Sequence, residues 1–594
     1  MRFPTLLNTE RGRQMVDVFK GYNHNLRISD GEFFDMKNMT SDYYPVLSPR
    51  GKRGIYATPD HPTGLIAKDA LCYVDGSKFV INDYPIEMEL NDEPKQLVSM
   101  GAYVIIFPDR KWINTQCWED DGTFNMDNGT GSIDAHFDNK ESGQDVTFSL
   151  CTIDGADYEG TIASAIEPAK PENEGDTALW IDTSSTPHVL RQYSKSASTW
   201  VQVPTTYIRI YCPGIGVRFN QYDGVDISGI TAPGLQDLNA SMVIWAKGDD
   251  YIVVTGILDV ETTQTTEDGV ICVDRRMPNM DFVTEAGNRL WGCRYGVAAN
   301  GEVVNEIYAS KLGDFKNWRC FMGLSTDSYT ASCGTDGQFT GAITHLGHPL
   351  FFKENCVHKV YGNYPANFQI QDTACRGVQK GCHKSLAIVN ETLFYKARSG
   401  VCAYDGSLPI EVSYAMGNEA YGEAVGGAHG NKYYISMKDS DGTAHLFVYD
   451  TVKGMWHRED NFQADCFCSC RGELYAISDG CILTMLSTGA IGEDIVEWAA
   501  ETGEIGISSP DMKYISRITL RMSMDIGAVV SISVKYDFGD EWECQCVLNG
   551  TSYRSFSIPI RPKRCDHMRL RIEGIGAAKI YSITKTIEQG SELS

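Results

Sequence analysis

The chain is short of positive charge. Over 594 residues, 52 Lys and Arg face 78 Asp and Glu, a formal net charge of −26. Holding duplex DNA by phosphate neutralisation needs clustered Lys and Arg, so the composition argues against that role and suits a surface past which DNA slides. Long apolar runs are also missing. The longest, such as Tyr103-Val-Ile-Ile-Phe107, are strand-sized, against the ~18 to 20 residues a membrane helix needs. Met1 to Phe19 has no charged-then-apolar leader, and the nineteen cysteines are an odd number in a large chain, so the expected birthplace is a reducing cytosol. No Gly-x-Ser-x-Gly elbow, phosphate loop or dinucleotide fingerprint occurs, which argues against a nucleotide-driven motor. No cofactor is expected.

What is present is β-forming. Aromatics at 11% and hydrophobics at 42% argue against disorder, and the length calls for two to four domains unless a repeat spreads the core over small units. A repeat is visible from Gly64 to Leu486: short apolar strand, Gly or Asn turn, aromatic-rich strand, turn, apolar strand. Leu71-Cys-Tyr-Val-Asp-Gly-Ser-Lys-Phe79 is one hairpin with an Asp-Gly turn. Leu350-Phe-Phe-Lys353 is echoed by Leu393-Phe-Tyr-Lys396 and by Leu474-Tyr-Ala-Ile477. Tyr449-Asp450-x-x-x-Gly454-x-Trp456 has the form of a kelch-type blade end, with Asp and Gly making the turn and Trp packing between blades. The expectation is an all-β chain: a β-propeller of six or seven blades over 61–116 and 263–488, with an inserted β-domain and a C-terminal β-sandwich. A stack of β-sandwiches would carry the same local signals.

The insertion is placed at 117–262, where the blade pattern breaks. Between Cys117 and Leu190 sixteen Asp or Glu stand against Lys140 and Lys170, about −14. Its strands include Val146-Thr-Phe-Ser-Leu-Cys151 and Ala178-Leu-Trp-Ile-Asp182. From 489 to 594 the pattern changes again: Ile518, Leu520 and Met522 alternate with polar residues, as do Val530, Ile532 and Val534, and Met568, Leu570 and Ile572. Period two with polar partners means half-buried antiparallel strands.

Residues able to do chemistry are few in pattern. Cys466-Phe-Cys-Ser-Cys470 sets its sulfurs about 7 Å apart on one face of a strand, unlike the Cys-x-x-Cys turn of a zinc knuckle. A small-residue core stripe is the expectation there and at Cys544 and Cys546, and no metal is expected. His345, His348 and His358 have no helical Glu beside them and read as turn or strand-end residues. Paired carboxylates for glycan hydrolysis need about 5 to 10 Å in the fold, but Asp405, Asp450 and Asp479 sit in turn contexts where they make Asx turns. The repeated Ser-x-Asp-x-Gly-x-x-Trp box of sialidases is missing. No catalytic residue is expected, and the chain is read as not an enzyme. Arg561, Lys563, Arg564, Arg569 and Arg571 form a basic cluster that suits an interface or a DNA-facing surface, the alternative being exposed strand positions.

The run from Phe19 to Arg53 carries the order Asp30-Gly31-Glu32, Asp35-Met36-x-Asn38, aromatics, Pro45-x-Leu47, Arg50-Gly51. It resembles the opening of the propeller-type tail proteins of short-tailed bacteriophages, the tail nozzle (tubular protein B) and packaged-DNA stabilisation proteins. About a tenth of the chain carries this resemblance. It implies that residues 1–60 are an extended tether with the first blade strand. It further implies a structural virion protein, made in the bacterial cytoplasm and assembled in the tail as a six-fold ring. Such a ring would line or close the DNA exit channel beside a tail adaptor or other tail proteins, with a part in genome retention and ejection. The alternative is a tail-tip or baseplate protein in which the insertion presents exposed Trp180 and Trp200 to a host surface glycan; a polysaccharide hydrolase ranks third. The acidic insertion and the cysteine content depart from the family pattern.

Overall fold

The structure is a computed structural model. It describes residues 11–589 apart from 158–164, 173–174, 176–177, 185–188, 203–205, 259–260, 299–300, 487–491, 508–511, 538, 551–553 and 561–562. The chain is all-β and of propeller type. Four-stranded antiparallel meanders run over residues 62–87, 96–132, 282–332, 341–374, 387–411 and 422–458, and a further one over 466–484 takes Gly54–Ala57 as its fourth strand. The hairpin turns use residues that tolerate positive φ, such as Gly76, Asn288, Gly430 and Asp479.

The residues divide into two compact units, 1–95 with 351–357 and 373–594, and 96–350 with 358–372. In the first unit, the leading strands of successive meanders lie side by side: Ala387–Val389 against Gly422–His429, that strand against Cys466–Cys470, and that against Pro62–Lys68. The same arrangement joins Gln96–Met100, Phe282–Ala286 and Gly341–His345 in the second unit. Leading strands in mutual contact are what propeller-type packing requires, because each sheet buries both faces against its neighbours. The 466–484 sheet does so through Leu71, Tyr73, Cys470, Ile477 and Ile482.

The second unit also holds three sheets that are not meanders of this series: Ala135–Asp138 with Cys272–Arg275, Gly224–Ser228 and Ser241–Val243; a five-stranded sheet around Tyr207–Tyr211; and Leu179–Asp182 with Val189–Ser194, Thr199–Gln202 and Ala165–Glu167. Their strands run from 135 to 275. Thr130–Ser132 still pairs with Lys111–Asn114 of the preceding meander, so the additional sheets begin and end later than the expected 117–262. A shared core of Phe148, Ile208, Ile210, Val225, Ile252 and Val273 holds two of these sheets together.

The C-terminal sandwich is built from both ends of the chain. One sheet is Arg11–Val16, Ala578–Gln589, Lys513–Met524 and Arg554–Pro559; the other runs Glu32–Lys37, Glu497–Thr502, Met568–Ile575, Val529–Tyr536 and Glu543–Asn549. The alternating residues Ile518, Leu520, Met522, Val530, Ile532, Val534, Met568, Leu570 and Ile572 are fully buried, each contributing about 1.5–3 kcal/mol. The second sheet is continuous with the 422–458 meander, because Gly21–Tyr22 pairs with Met455–Arg458 on one side and with Glu32–Lys37 on the other. The described part of this segment, residues 11–60, therefore differs from a tether ending in a first blade strand. Its strands Arg11–Val16 and Glu32–Lys37 are laid into the sandwich, Gly21–Tyr22 into that seam, and Gly54–Ala57 into the outer edge of the last meander.

Candidate functional site

The N-terminal motif folds into a clasp. Gly31 adopts φ +93°, and a Cβ there would lie 2.5 Å from the Val18 carbonyl oxygen, so the position requires glycine. Asp30 accepts a hydrogen bond from Lys585 Nζ at 2.7 Å, and Glu32 Oε2 accepts from the Ser29 N–H at 2.6 Å. Asp35 pairs with Arg458 at 2.8 Å. Met36 and Leu47 are buried, and Leu47 bridges Ile580 through backbone bonds in both directions. The Pro45 carbonyl accepts from the Phe19 N–H. Asn38, at φ +55°, accepts from Arg50 Nε at 2.8 Å and donates through Nδ2 to the Glu497 carbonyl.

Arg50 and Arg53 are the centre of the clasp. Arg50 forms a bidentate pair with Glu493, at 2.7 and 2.8 Å, reaches Asp460 at 3.2 Å and donates to the Gly51 carbonyl. Arg53 donates to Glu459 at 2.6 Å and to both Asp460 oxygens at 2.8 and 2.9 Å, with its guanidinium over the Phe462 ring. Both arginine side chains are 5% exposed. Burial by itself would raise the Asp460 carboxyl, but Arg53 and Arg50 outweigh it and hold it below its ordinary value. Glu493 is likewise depressed: burial acts upward, and the Arg50 hydrogen bonds with the Arg53 N–H prevail. Two arginines against three carboxylates thus join the turn after Arg458 to the segment that enters the sandwich.

The blade-end residues meet at the same seam. Asp450 accepts from Ser41 Oγ at 2.6 Å and from Lys453, Gly454 closes the turn at φ +65°, and Trp456, 2% exposed, donates to the Val412 carbonyl and packs against Tyr449 with the rings tilted by 38°.

A polar cleft of about 460 Å³ borders the clasp, lined by Asp35, Arg458, Asp460, Glu501 and Arg571 among others. Asp35 faces Glu501 across neighbouring strands, and Glu501 faces Arg571. Each carboxylate is matched: Asp35 with Arg458, Glu501 with Arg569 at 3.2 Å. Such a row is a cross-strand charge ladder. The basic cluster is spent in the same way. Arg569 also reaches Glu504 and lies over Phe34, Arg571 pairs with Glu573, and Lys563 pairs with Glu543. Arg564 is exposed on a two-residue strand beside Lys513–Met524, and Arg561 lies outside the described residues.

Other candidates separate. Asp405 accepts from the Ser407 N–H and hydroxyl in an Asx turn, and Asp479 sits at φ +49° between strands; neither joins Asp450 in one site. His345 and His358 are buried, with His358 Nε2 at 2.8 Å from Thr335 Oγ1. Cys466 and Cys468 pack against the Leu65–Tyr73 side of the neighbouring meander, and burial raises their thiols. Trp180 and Trp200, expected as exposed glycan contacts, are buried at 6% and 7%, edge to face with one another and beside Tyr193. That expectation is corrected: the acidic insertion buries both tryptophans with Tyr193 on one side of a small sheet whose strands also bury Ile181 and Leu190.

One constellation had no sequence signal. His136 Nδ1 lies 2.6 Å from Asp274 and Nε2 3.1 Å from Asp138. Hydrogen bonding to Asp274, then to Asp138, raises its pKa. Asp138 is only two residues away and Asp274 is 138 residues away, so pairing of Ala135–Asp138 with Cys272–Arg275 creates the clamp.

No family model matches the chain, and no curated protein matches it. Among solved structures, an exo-β-1,3-galactanase from Phanerochaete chrysosporium is similar at 9% identity and TM-score 0.22, covering 51% of this chain and 95% of that one. A glycoside hydrolase family 43 arabinoxylan arabinofuranohydrolase from Bacillus subtilis is similar at 8% identity and TM-score 0.17, covering 50% and 94%. A Trypanosoma rangeli sialidase mutant displaying trans-sialidase activity is similar at 8% identity and TM-score 0.19, covering 98% and 97%. These neighbours are carbohydrate-active proteins, and the expectation that the chain is not an enzyme is corrected and withdrawn on that finding. At such scores the likeness assigns this chain no activity.

Proposed function

We propose that the chain is a structural subunit of a bacteriophage tail, assembled as a ring that lines or closes the DNA exit channel. The observation that carries this reading is the use made of the N-terminal motif. The residues on which the resemblance to nozzle proteins rests are spent on joining a propeller-type meander to a sandwich, the two parts that the resemblance implies. A buried two-arginine, three-carboxylate clasp and a continuous ten-stranded sheet make that junction stiff, as a particle component under mechanical stress requires. The net charge of −26 suits a wall along which DNA moves without adhering. Six-fold symmetry and contact with a tail adaptor follow from the resemblance.

The test is immunogold labelling of intact particles with an antibody against this chain, together with a reducing-end assay of the purified protein on host polysaccharide. Label on the tail axis at its distal end supports the ring. Absence of label from particles refutes it, and release of reducing ends would move the chain to the carbohydrate-active class.

A further inference from the structure

We propose that a cleft on the first unit, between residues 43–52 and 575–581, binds a neutral saccharide. The cleft encloses about 550 Å³, within the range of small-molecule sites. It is distinct from the charge ladder and does not depend on the tail reading.

The argument rests on polar groups that the fold leaves unspent. Ser48 is 2% exposed, and its hydroxyl has no hydrogen-bond partner among the described residues. A buried hydroxyl without a partner is a standing cost unless something else satisfies it. Asp494 and Asp525, both exposed, line the same cleft, and their carboxylates make no hydrogen bond or ion pair among the described residues. Lys579 has no carboxylate partner there either; its Nζ lies 3.7 Å from the centroid of the Tyr43 ring. Tyr43 is 51% exposed, and Tyr581 forms a second aromatic wall, its hydroxyl 3.4 Å from Ser523 Oγ.

The mixture selects the ligand. The carboxylates of Asp494 and Asp525 offer acceptors, the Lys579 ammonium offers donors, and the buried Ser48 hydroxyl can do either. Arg50 and Lys52 also line the cleft, but Arg50 is spent on Glu493 and Asp460 and Lys52 Nζ donates to the Asp494 carbonyl, so the near balance of charge favours neither an anion nor a cation. A pyranose answers all of these with hydroxyls that both donate and accept, and lays its apolar C–H face on tyrosine. Gly576, Ala577 and Ala578, all without long side chains, also line the cleft.

The experiment is saturation-transfer NMR on the full chain with N-acetylchitotetraose, maltotetraose and β-1,3-galactotriose, with inorganic phosphate and spermidine as charged competitors. Tyr43→Ala and Asp525→Asn are exposed positions outside the clasp, and their melting temperatures are measured alongside. The expected result is transfer to at least one oligosaccharide, weakened about tenfold in each variant at unchanged melting temperature. Absence of transfer to all three at millimolar concentration overturns the proposal. So do equal transfer in wild type and variants, and displacement of the sugar by phosphate or spermidine.

Discussion

Replacing Arg53 by methionine tests the clasp at its most connected point. The substitution keeps an unbranched apolar stem but not the guanidinium, and removes three charge-assisted hydrogen bonds, one to Glu459 and two to Asp460. Glu459 is 8% and Asp460 24% exposed, and both would be left with Arg50 as their arginine partner, while Glu493 keeps Arg50 and the backbone N–H of residue 53. Stranding a buried carboxylate costs about 3–5 kcal/mol, whereas an exposed ion pair is worth 1 kcal/mol or less. At about 1.4 kcal/mol per power of ten, local opening should rise by roughly two to three and a half powers of ten. A chain of this size does not unfold in two states, so the readout is hydrogen exchange by mass spectrometry in peptides covering 38–53 and 455–461. The pH dependence adds a second constraint. In the wild type, the depressed Asp460 and Glu493 carboxyls contribute stability above their unfolded values, and it is lost as pH falls through the folded ones. In Arg53→Met the stranded carboxyls can take up protons, so the difference between the proteins should be largest near pH 8 and shrink toward pH 4. An acceleration below tenfold at pH 7, or one that does not change with pH, would refute the account of the clasp as a desolvated, interdependent network.

Three further outcomes follow from the same geometry. Trp456→Ala should leave a cavity beneath the seam between meander and sandwich and cost about 3–5 kcal/mol, seen as a lower melting temperature with loss of near-ultraviolet circular dichroism; a variant as stable as wild type would take Trp456 out of the core. Gly31→Ala should destabilise by about 1–3 kcal/mol, because its φ and the 2.5 Å approach to the Val18 carbonyl both oppose a Cβ, while Gly76→Ala, with nothing within 4 Å, should cost less. His136, assigned by comparison with His136→Gln, should titrate in NMR above 6.5. Since its folded value is raised, its contribution is full below the unfolded value and fades as pH rises through the folded one; a titration at or below 6.5 would dissolve the Asp274–His136–Asp138 clamp.

Local alternation is what a single chain can display, and it located the strands. Ile518, Leu520 and Met522 point to one side because successive strand residues alternate, and they are buried together; the Asp450–Gly454 turn and the aromatic strand ends were visible for the same local reason. The N-terminal motif was legible as a pattern, but its work was not. Arg50 and Arg53 meet Glu459, Asp460 and Glu493 more than four hundred residues away, and no spacing rule connects them. Gly54–Ala57 has the look of a first blade strand, yet it pairs with Cys481–Thr484, since an edge left open at the end of the repeat is filled by whichever segment the topology brings there. Trp180 and Trp200 looked like surface contacts in a solvated, acidic stretch; a small sheet needs something to bury, and they form one buried cluster with Tyr193. Strand identity, turn chemistry and the absence of a membrane helix thus belonged to the sequence by itself. Partner strands, the charge clasp, the histidine clamp and the unspent polar groups of the cleft were decided only by tertiary structure, because each depends on distances between residues far apart in the chain.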